Sequence, residues 1–127
     1  MEKIEKLMEM LDWNNPIDIQ EKGCALCAEF KNLEVFLQPV EDAYNKNVWD
    51  NCAEILSRKS DEELAPYLCA LFEWLQDMNW PGACCILERL RRYGIKTVYD
   101  IAYAECVEKA MTTNDEIWLE NLYEINK

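Results

Sequence analysis

One ten-residue stretch, Trp74 to Ala83, does most to limit the folds open to this chain. It reads Trp-Leu-Gln-Asp-Met-Asn-Trp-Pro-Gly-Ala and lies between two segments whose apolar residues recur at helical spacing. Pro81 suits the first turn of a helix, because its missing N–H is not needed there and its φ is already helical. Proline also disfavours the α conformation at the preceding residue. The stretch therefore predicts a hinge between a helix over 65–76 and a second helix over 81–93.

Weaker copies of this hinge recur along the chain. The pattern Asp-x-Asn-x-Pro of residues 77–81 is also present at 12–16. Four hinge asparagines follow one another at intervals of 33, 32 and 35 residues: Asn14, Asn47, Asn79 and Asn114. A period in the thirties with two helices per unit is typical of stacked helical repeats. Because the chain contains ten asparagines, a compact irregular helical bundle remains the alternative.

The spacing of apolar residues predicts the other helices. These cover residues 2–11, 17–30, 48–57, 97–111 and 115–125, with a broken segment over 33–44. We expect Asn15 to cap the second helix, and Ser60-x-x-Glu63 and Thr113-x-x-Glu116 to form capping boxes. In the helix over 97–111 the predicted core positions are Val98, Ile101, Ala102, Ala104 and Val107.

Composition supports the same class of fold. Three glycines and four prolines among 127 residues leave few turns for a many-stranded β fold, and half of the residues are hydrophobic. We therefore predict an all-α, single-domain chain, a HEAT-like stack of about four helical hairpins. Their approximate limits are 1–30, 31–58, 60–94 and 96–127.

The charge of the chain restricts its partners. It has 25 acidic and 13 basic residues, a formal net charge of −12 that is spread along the sequence. Such a charge repels phosphate backbones and favours encounter with a basic protein. An acidic surface that only keeps the protein in solution is the alternative. The sequence shows neither a signal peptide nor an apolar run of about 20 residues, so we expect no membrane association. Seven cysteines in such a chain indicate a reducing cytoplasm.

Few residues in the sequence are suited to catalysis. Histidine, the commonest general base and metal ligand, is absent. The only serines are Ser57 and Ser60, both at predicted helix ends, and the three glycines stand alone rather than in a phosphate-binding loop. We therefore expect a protein without enzymatic activity and without a cofactor.

The cysteines leave one further chemical possibility. Cys24 and Cys27 form a Cys-x-x-Cys, which Cys84 and Cys85 could complete as a tetrahedral zinc or redox site. The first pair, however, lies inside an amphipathic helix, where cysteine usually behaves as a small buried hydrophobe. We favour structural thiols and predict no metal.

Tryptophans lie in the hinge regions at Trp13, Trp49, Trp80 and Trp118. They fit two interpretations: large rings that pack between hairpins, or an aromatic row that binds a partner beside nearby carboxylates. Under the second interpretation the candidate binding residues are Trp49, Asp50, Glu54, Trp80, Glu88, Trp118 and Glu120.

The hinge sequence, with Ile86 and Leu90 after it, resembles the signature of a small bacterial family of unknown function. Those domains resemble HEAT-like repeats and often lie among genes for polymorphic toxins and their immunity proteins. The resemblance covers residues 46–93 and implies a fold rather than an activity.

Together these observations favour a cytoplasmic, monomeric, protein-binding module. Its sharpest form is an immunity protein that neutralises a basic toxin domain by direct binding. An adaptor that holds a peptide or helix in a repeat groove is the second hypothesis, and a cysteine-based metal or redox protein is the third.

Overall fold

The computed structural model describes the backbone of residues 2–41 and 44–127, and the side chains of residues 4–39 and 44–127. Those residues form helices joined by short turns, with no strand in either described range. The all-α prediction is therefore confirmed. The helices are α1 Glu2–Met10, α2 Ile17–Cys27, α3 Gln38–Glu41, α4 Trp49–Ser57, α5 Asp61–Leu64, α6 Leu68–Glu73, α7 Ala83–Arg91, α8 Lys96–Thr112 and α9 Glu116–Glu124. Turns of 3₁₀ helix cover Glu34–Phe36, Lys46–Val48, Ala65–Tyr67 and Trp74–Gln76.

The helices enclose a continuous hydrophobic core. The most extensive helix contacts are those of α4 with α7 and of α6 with α8, and α1 with α2 and α8 with α9 also pack together. Large side chains with almost no exposure fill the space between them: Trp74, Phe36, Phe72, Met8, Leu11, Leu33, Ile55, Leu56, Leu64, Leu68, Leu71 and Leu75. Within the described ranges, no helix is long and apolar enough to cross a membrane.

The predicted hinge is present and is anchored by Trp74. The indole Nε1–H of Trp74 donates to the carbonyl oxygen of Pro81 at 3.0 Å, across the turn. Gly82 has a φ of +86°, and a Cβ there would lie 2.7 Å from the Cβ of Ala53. Because this left-handed residue cannot belong to a helix, α7 begins at Ala83 and not at Pro81 as predicted.

Three of the four hinge asparagines adopt the same local turn. The backbone N–H groups of Asn14 and Asn79 each donate to an aspartate two residues earlier, both at 2.8 Å. That of Asn47 donates to the Asn45 side chain at 2.9 Å. Asn114 differs, because it has a φ of +57° directly after α8. The hinges at Asn14, Asn47 and Asn79 are thus repeated Asx turns, whereas the hinge at Asn114 is a helix C-terminus that ends in a left-handed residue.

Several helix ends differ from the prediction. Pro16, not Asn15, stands at the start of α2, because the Asn15 amide instead donates to the Glu9 carbonyl oxygen at 2.6 Å. The segment over 65–76 is not one α-helix: it opens as a 3₁₀ turn that contains Pro66, whose missing N–H disfavours a helix interior.

The two predicted capping boxes have different outcomes. The box at Ser60 is confirmed: its hydroxyl oxygen accepts from the Glu63 N–H, and the Glu63 carboxylate accepts from the Ser60 N–H. The box at Thr113 is wrong. Asp115 caps α9 instead, and its carboxylate accepts from the Trp118 N–H at 3.0 Å.

The predicted core face of α8 is only partly correct. Ala102 is buried as expected, but Ile101 and Ala104 are exposed. Cys106 and Ala110 are buried instead. The most deeply buried positions of α8 therefore carry small side chains, and Tyr99 and Tyr103 beside them pack their rings against Phe72 of α6.

Candidate interaction surface

Trp49 and Trp118 lie in the core. Trp49 is 3% exposed and makes edge contacts with the rings of Trp74 and Trp80, with centroids 6.2 and 5.7 Å apart. Trp118 is 2% exposed, and its indole N–H donates to the carbonyl oxygen of Phe72 at 2.9 Å. Packing, the first of the two interpretations, therefore describes both rings in this structure.

Trp80 and Trp13 lie nearer to the surface. Trp80 is partly buried against the core, and Trp13 is exposed. The Trp13 backbone N–H donates to the carbonyl oxygen of Asn47 at 3.0 Å, which joins the first two hinges. The four hinge tryptophans thus do not form a single exposed aromatic row.

The predicted carboxylates are divided between two places. Asp50 and Glu54 lie on α4 and Glu88 lies on α7, the two helices that pack most extensively, whereas Glu120 lies on α9. Glu54 pairs with Arg58 at 3.6 Å, and Glu88 pairs with Arg91 at 2.9 Å. Nearby arginines therefore offset much of the negative charge at α4 and α7.

The buried cysteines have little nucleophilic character. Cys24, Cys27 and Cys52 are buried together between α2 and α4, and burial raises the pKa of Cys27 to about 11. Burial also raises the pKa of Cys106 to about 12. A protonated thiol is a poor nucleophile and a poor metal ligand. No group of three or more metal-ligating side chains comes together among the residues that the structure describes.

The outer face of α8 carries large apolar side chains that are exposed. Ile101 is 63% exposed and Met111 is 59% exposed, while the buried face of the same helix carries alanines and a cysteine. A helix that is apolar on both faces is typical of a helix covered on both sides. Here one of those sides is open.

This face forms one wall of a shallow groove of about 480 Å³ between α8 and α9. Its lining is mostly apolar and consists of Tyr103, Ala104, Val107, Glu108, Met111, Thr112 and Tyr123. The Tyr103 hydroxyl donates to the Leu122 carbonyl oxygen at 3.1 Å, which holds the base of the groove together.

Carboxylates without cationic partners lie beside this groove. Residues 96–127 contain seven acidic and three basic side chains. All three lysines are engaged: Lys96 with Asp100, Lys109 with Glu73, and Lys127 with Glu124. Within the described part of the chain, Glu108, Glu116 and Glu120 therefore have no ion-pair partner.

Comparison with known families places this surface inside a recognised domain. The family model described as domain of unknown function (DUF5071) matches residues 43–126, which is more than half of the chain. The chain belongs to the DUF5071 family. No curated protein and no solved structure matches it. The DUF5071 region contains the Trp74 hinge and the whole α8–α9 groove, so both belong to the part of the chain that defines the family.

Glu120, one of the predicted binding residues, lies beside the groove, but none of the residues that line the groove was predicted to bind a partner. The sequence does contain a signal for the groove, because the helix over 97–111 has apolar residues on opposite faces. The prediction placed Ile101 and Ala104 in the core, whereas the structure leaves both exposed.

Proposed function

We propose that this chain is a non-catalytic protein-binding module, and in its sharpest form an immunity protein that neutralises a basic toxin domain. The observation that carries the proposal is the α8–α9 hairpin, where large apolar side chains are exposed beside carboxylates that have no ion-pair partner among the described residues. Exposed apolar patches with a polar rim mark sites of protein association. The carboxylates select a partner of opposite charge.

The net charge of −12 supports the same partner class. A protein with this charge attracts a basic domain over several ångströms and accelerates their encounter, and the attraction weakens as salt screens it. Rapid encounter suits an inhibitor that must reach a toxin before it acts.

As part of this proposal, the chain folds as a HEAT-like stack of helical hairpins and acts in the bacterial cytoplasm. The repeated Asx turns at Asn14, Asn47 and Asn79 support a repeat of about 33 residues. The resemblance of the hinge to domains found among toxin and immunity genes favours the immunity role over other kinds of binding.

The polar side chains favour binding over catalysis. The Ser57 hydroxyl donates to the Glu54 carbonyl oxygen at 2.8 Å, and Ser60 caps a helix, so both hydroxyls have structural partners. Raised pKa values keep the buried thiols protonated. None of these groups has the activated environment of a nucleophile.

An adaptor that binds a helix of a regulatory or structural partner is the second candidate. The mostly apolar lining of the groove favours it. An adaptor held by apolar contacts alone predicts binding that changes little with salt, whereas the immunity hypothesis predicts steep salt dependence.

The test is a pull-down with the product of the neighbouring gene, followed by titration calorimetry at two salt concentrations. We expect tight binding of a basic protein, weaker at the higher salt, and loss of toxicity when the two are co-expressed. Absence of binding at both salt concentrations would overturn the immunity role. Binding that is insensitive to salt would favour the adaptor.

A further inference from the structure

The outer face of α8 has the geometry of a helix-docking stripe. Ile101, Ala104, Glu108 and Met111 recur at i, i+3, i+7 and i+10, so they lie along one face of the helix. At 1.5 Å per residue the stripe is about 15 Å long. Tyr123 of α9 forms the facing wall.

From this arrangement we infer that the α8–α9 groove docks one amphipathic helix of the partner, about three turns long, with lysines or arginines flanking its apolar stripe. The inference rests on the proposed function and names the segment of the partner that the surface takes.

The shape of the groove favours a helix as the occupant. Two helices form its walls, and along the α8 wall the small Ala104 lies between the larger Tyr103 and Val107. A small residue between two large ones leaves a gap that a leucine of a partner helix fills, as in ridges-into-grooves packing. Helix-in-groove recognition of this kind uses apolar anchors at i, i+3 or i+4, and i+7.

The charges favour a basic helix. Glu108 is part of the groove lining, and Glu116 and Glu120 lie seven and three residues before Tyr123, on its side of α9. A partner helix in the groove therefore has carboxylates along both edges. Lysines or arginines beside its apolar stripe would pair with them.

The same charges argue against a second copy of this chain as the occupant. A symmetric dimer through the groove would bring Glu108, Glu116 and Glu120 of one copy close to those of the other. Like charges held together at an interface disfavour association. The surfaces of two copies, each with a net charge of −12, would repel one another as well.

The probe for the experiment is a synthetic 14-residue helical peptide with leucines at i, i+4, i+7 and i+11 and lysines on both sides of them. The protein carries ¹³C-labelled methionine methyl groups, which NMR observes individually. We expect the peptide to shift the methyl signal of Met111, in the groove, and not that of Met8, which is 1% exposed in the core.

Two matched variants locate the binding. Met111→Glu places a charge in the groove, and Ile17→Glu places one at an equally exposed apolar position on α2, where the residue is 68% exposed. Because both positions face solvent, we expect both variants to fold. Met111→Glu should weaken peptide binding by about tenfold or more, as expected for an anchor residue, and Ile17→Glu should leave it unchanged.

Three results would overturn the inference. One is equal binding of a peptide with glutamates in place of its lysines, and another is equal binding of a scrambled peptide. The third is a dimer of the chain alone that Met111→Glu dissociates in sedimentation velocity, because a second copy would then fill the groove.

The outcome is separable from that of the proposed function. If Met111→Glu still binds the neighbouring gene product as tightly as Ile17→Glu does, the groove inference fails while the immunity proposal stands. If the lysine peptide binds the groove and the gene product does not bind at all, the immunity proposal fails while the groove inference stands.

Discussion

The Trp74 hinge and the outer face of α8 use similar side chains in opposite ways. At the hinge, Trp74 is buried and its one polar atom donates to Pro81. On α8, Ile101 and Met111 remain exposed with nothing over them in the described chain. Burial of apolar area stabilises a fold, and apolar area that the fold leaves exposed is available to a partner. The hinge therefore contributes to stability, and the α8 face is the surface that we propose for binding.

The charged side chains show the same division. Arg89 is buried, and its guanidinium donates to the Asp61 carboxylate at 2.6 Å and to the Lys59 carbonyl oxygen at 3.0 Å. Glu108 and Glu120, beside the groove, have no such partner in the described ranges. A charge inside the fold must be paired, whereas a charge at a docking surface is free to pair with another molecule.

The largest expected effect comes from breaking the hinge with Trp74→Ala. Removing a fully buried indole leaves a cavity against Trp49 and loses its burial energy, so we expect a loss of about 3–5 kcal/mol in unfolding free energy. Urea denaturation followed by far-UV circular dichroism measures it.

Trp74→Phe is the companion variant, because it keeps a ring and removes the hydrogen bond to Pro81. It should lose less than Trp74→Ala. A loss below about 0.5 kcal/mol for Trp74→Ala would contradict the role of the hinge, since surface substitutions have effects of that size.

Asp61→Asn tests the buried charge pair and has a smaller expected effect. The variant leaves the Arg89 guanidinium without its anionic partner, which should cost about 1–3 kcal/mol at neutral pH. Asp61 also accepts from the Gly94 N–H at 2.8 Å, which ties α5 to the start of α8.

The pH dependence of this loss has a definite sign. Desolvation alone would raise the pKa of Asp61, but the hydrogen bonds from Arg89 and the Gly94 N–H outweigh it and hold that pKa below its usual value. A lowered folded-state pKa adds stability above the unfolded value of about 3.9, and that stability is lost as the pH falls further. The difference between the wild type and Asp61→Asn should therefore shrink below about pH 4, measured by urea denaturation across pH. A difference that grows there would contradict the assignment.

The sequence predicts the helices and the hinge well because both depend on local chemistry. The turn at Pro81, the Asx turns and the Ser60 capping box each depend on residues only a few positions apart in the sequence. The spacing of apolar residues likewise depends on the geometry of one helix at a time. The close approach of Gly82 to Ala53 depends on tertiary packing and is not visible in the local pattern.

The groove was harder to predict because periodicity does not distinguish two apolar faces of one helix. Ile101 is more hydrophobic than Ala102, so a sequence-based assignment buries it. The structure instead buries Ala102 and leaves Ile101 63% exposed. Similarly, the sequence shows that Trp49 lies in a hinge region but not that its ring points into the core.

Met111→Ala gives the smallest expected effect on stability and the sharpest contrast with the hinge. Because Met111 is largely exposed, its truncation should change the unfolding free energy by no more than about 0.5 kcal/mol, measured as for Trp74→Ala. The same variant should still weaken binding of the lysine peptide, since the methionine side chain is part of the groove wall. If Met111 contributes to binding but not to stability, its exposure is explained by contact with a partner. If Met111→Ala instead destabilised the chain by several kcal/mol, the α8 face would belong to the core, and its contrast with the hinge would disappear.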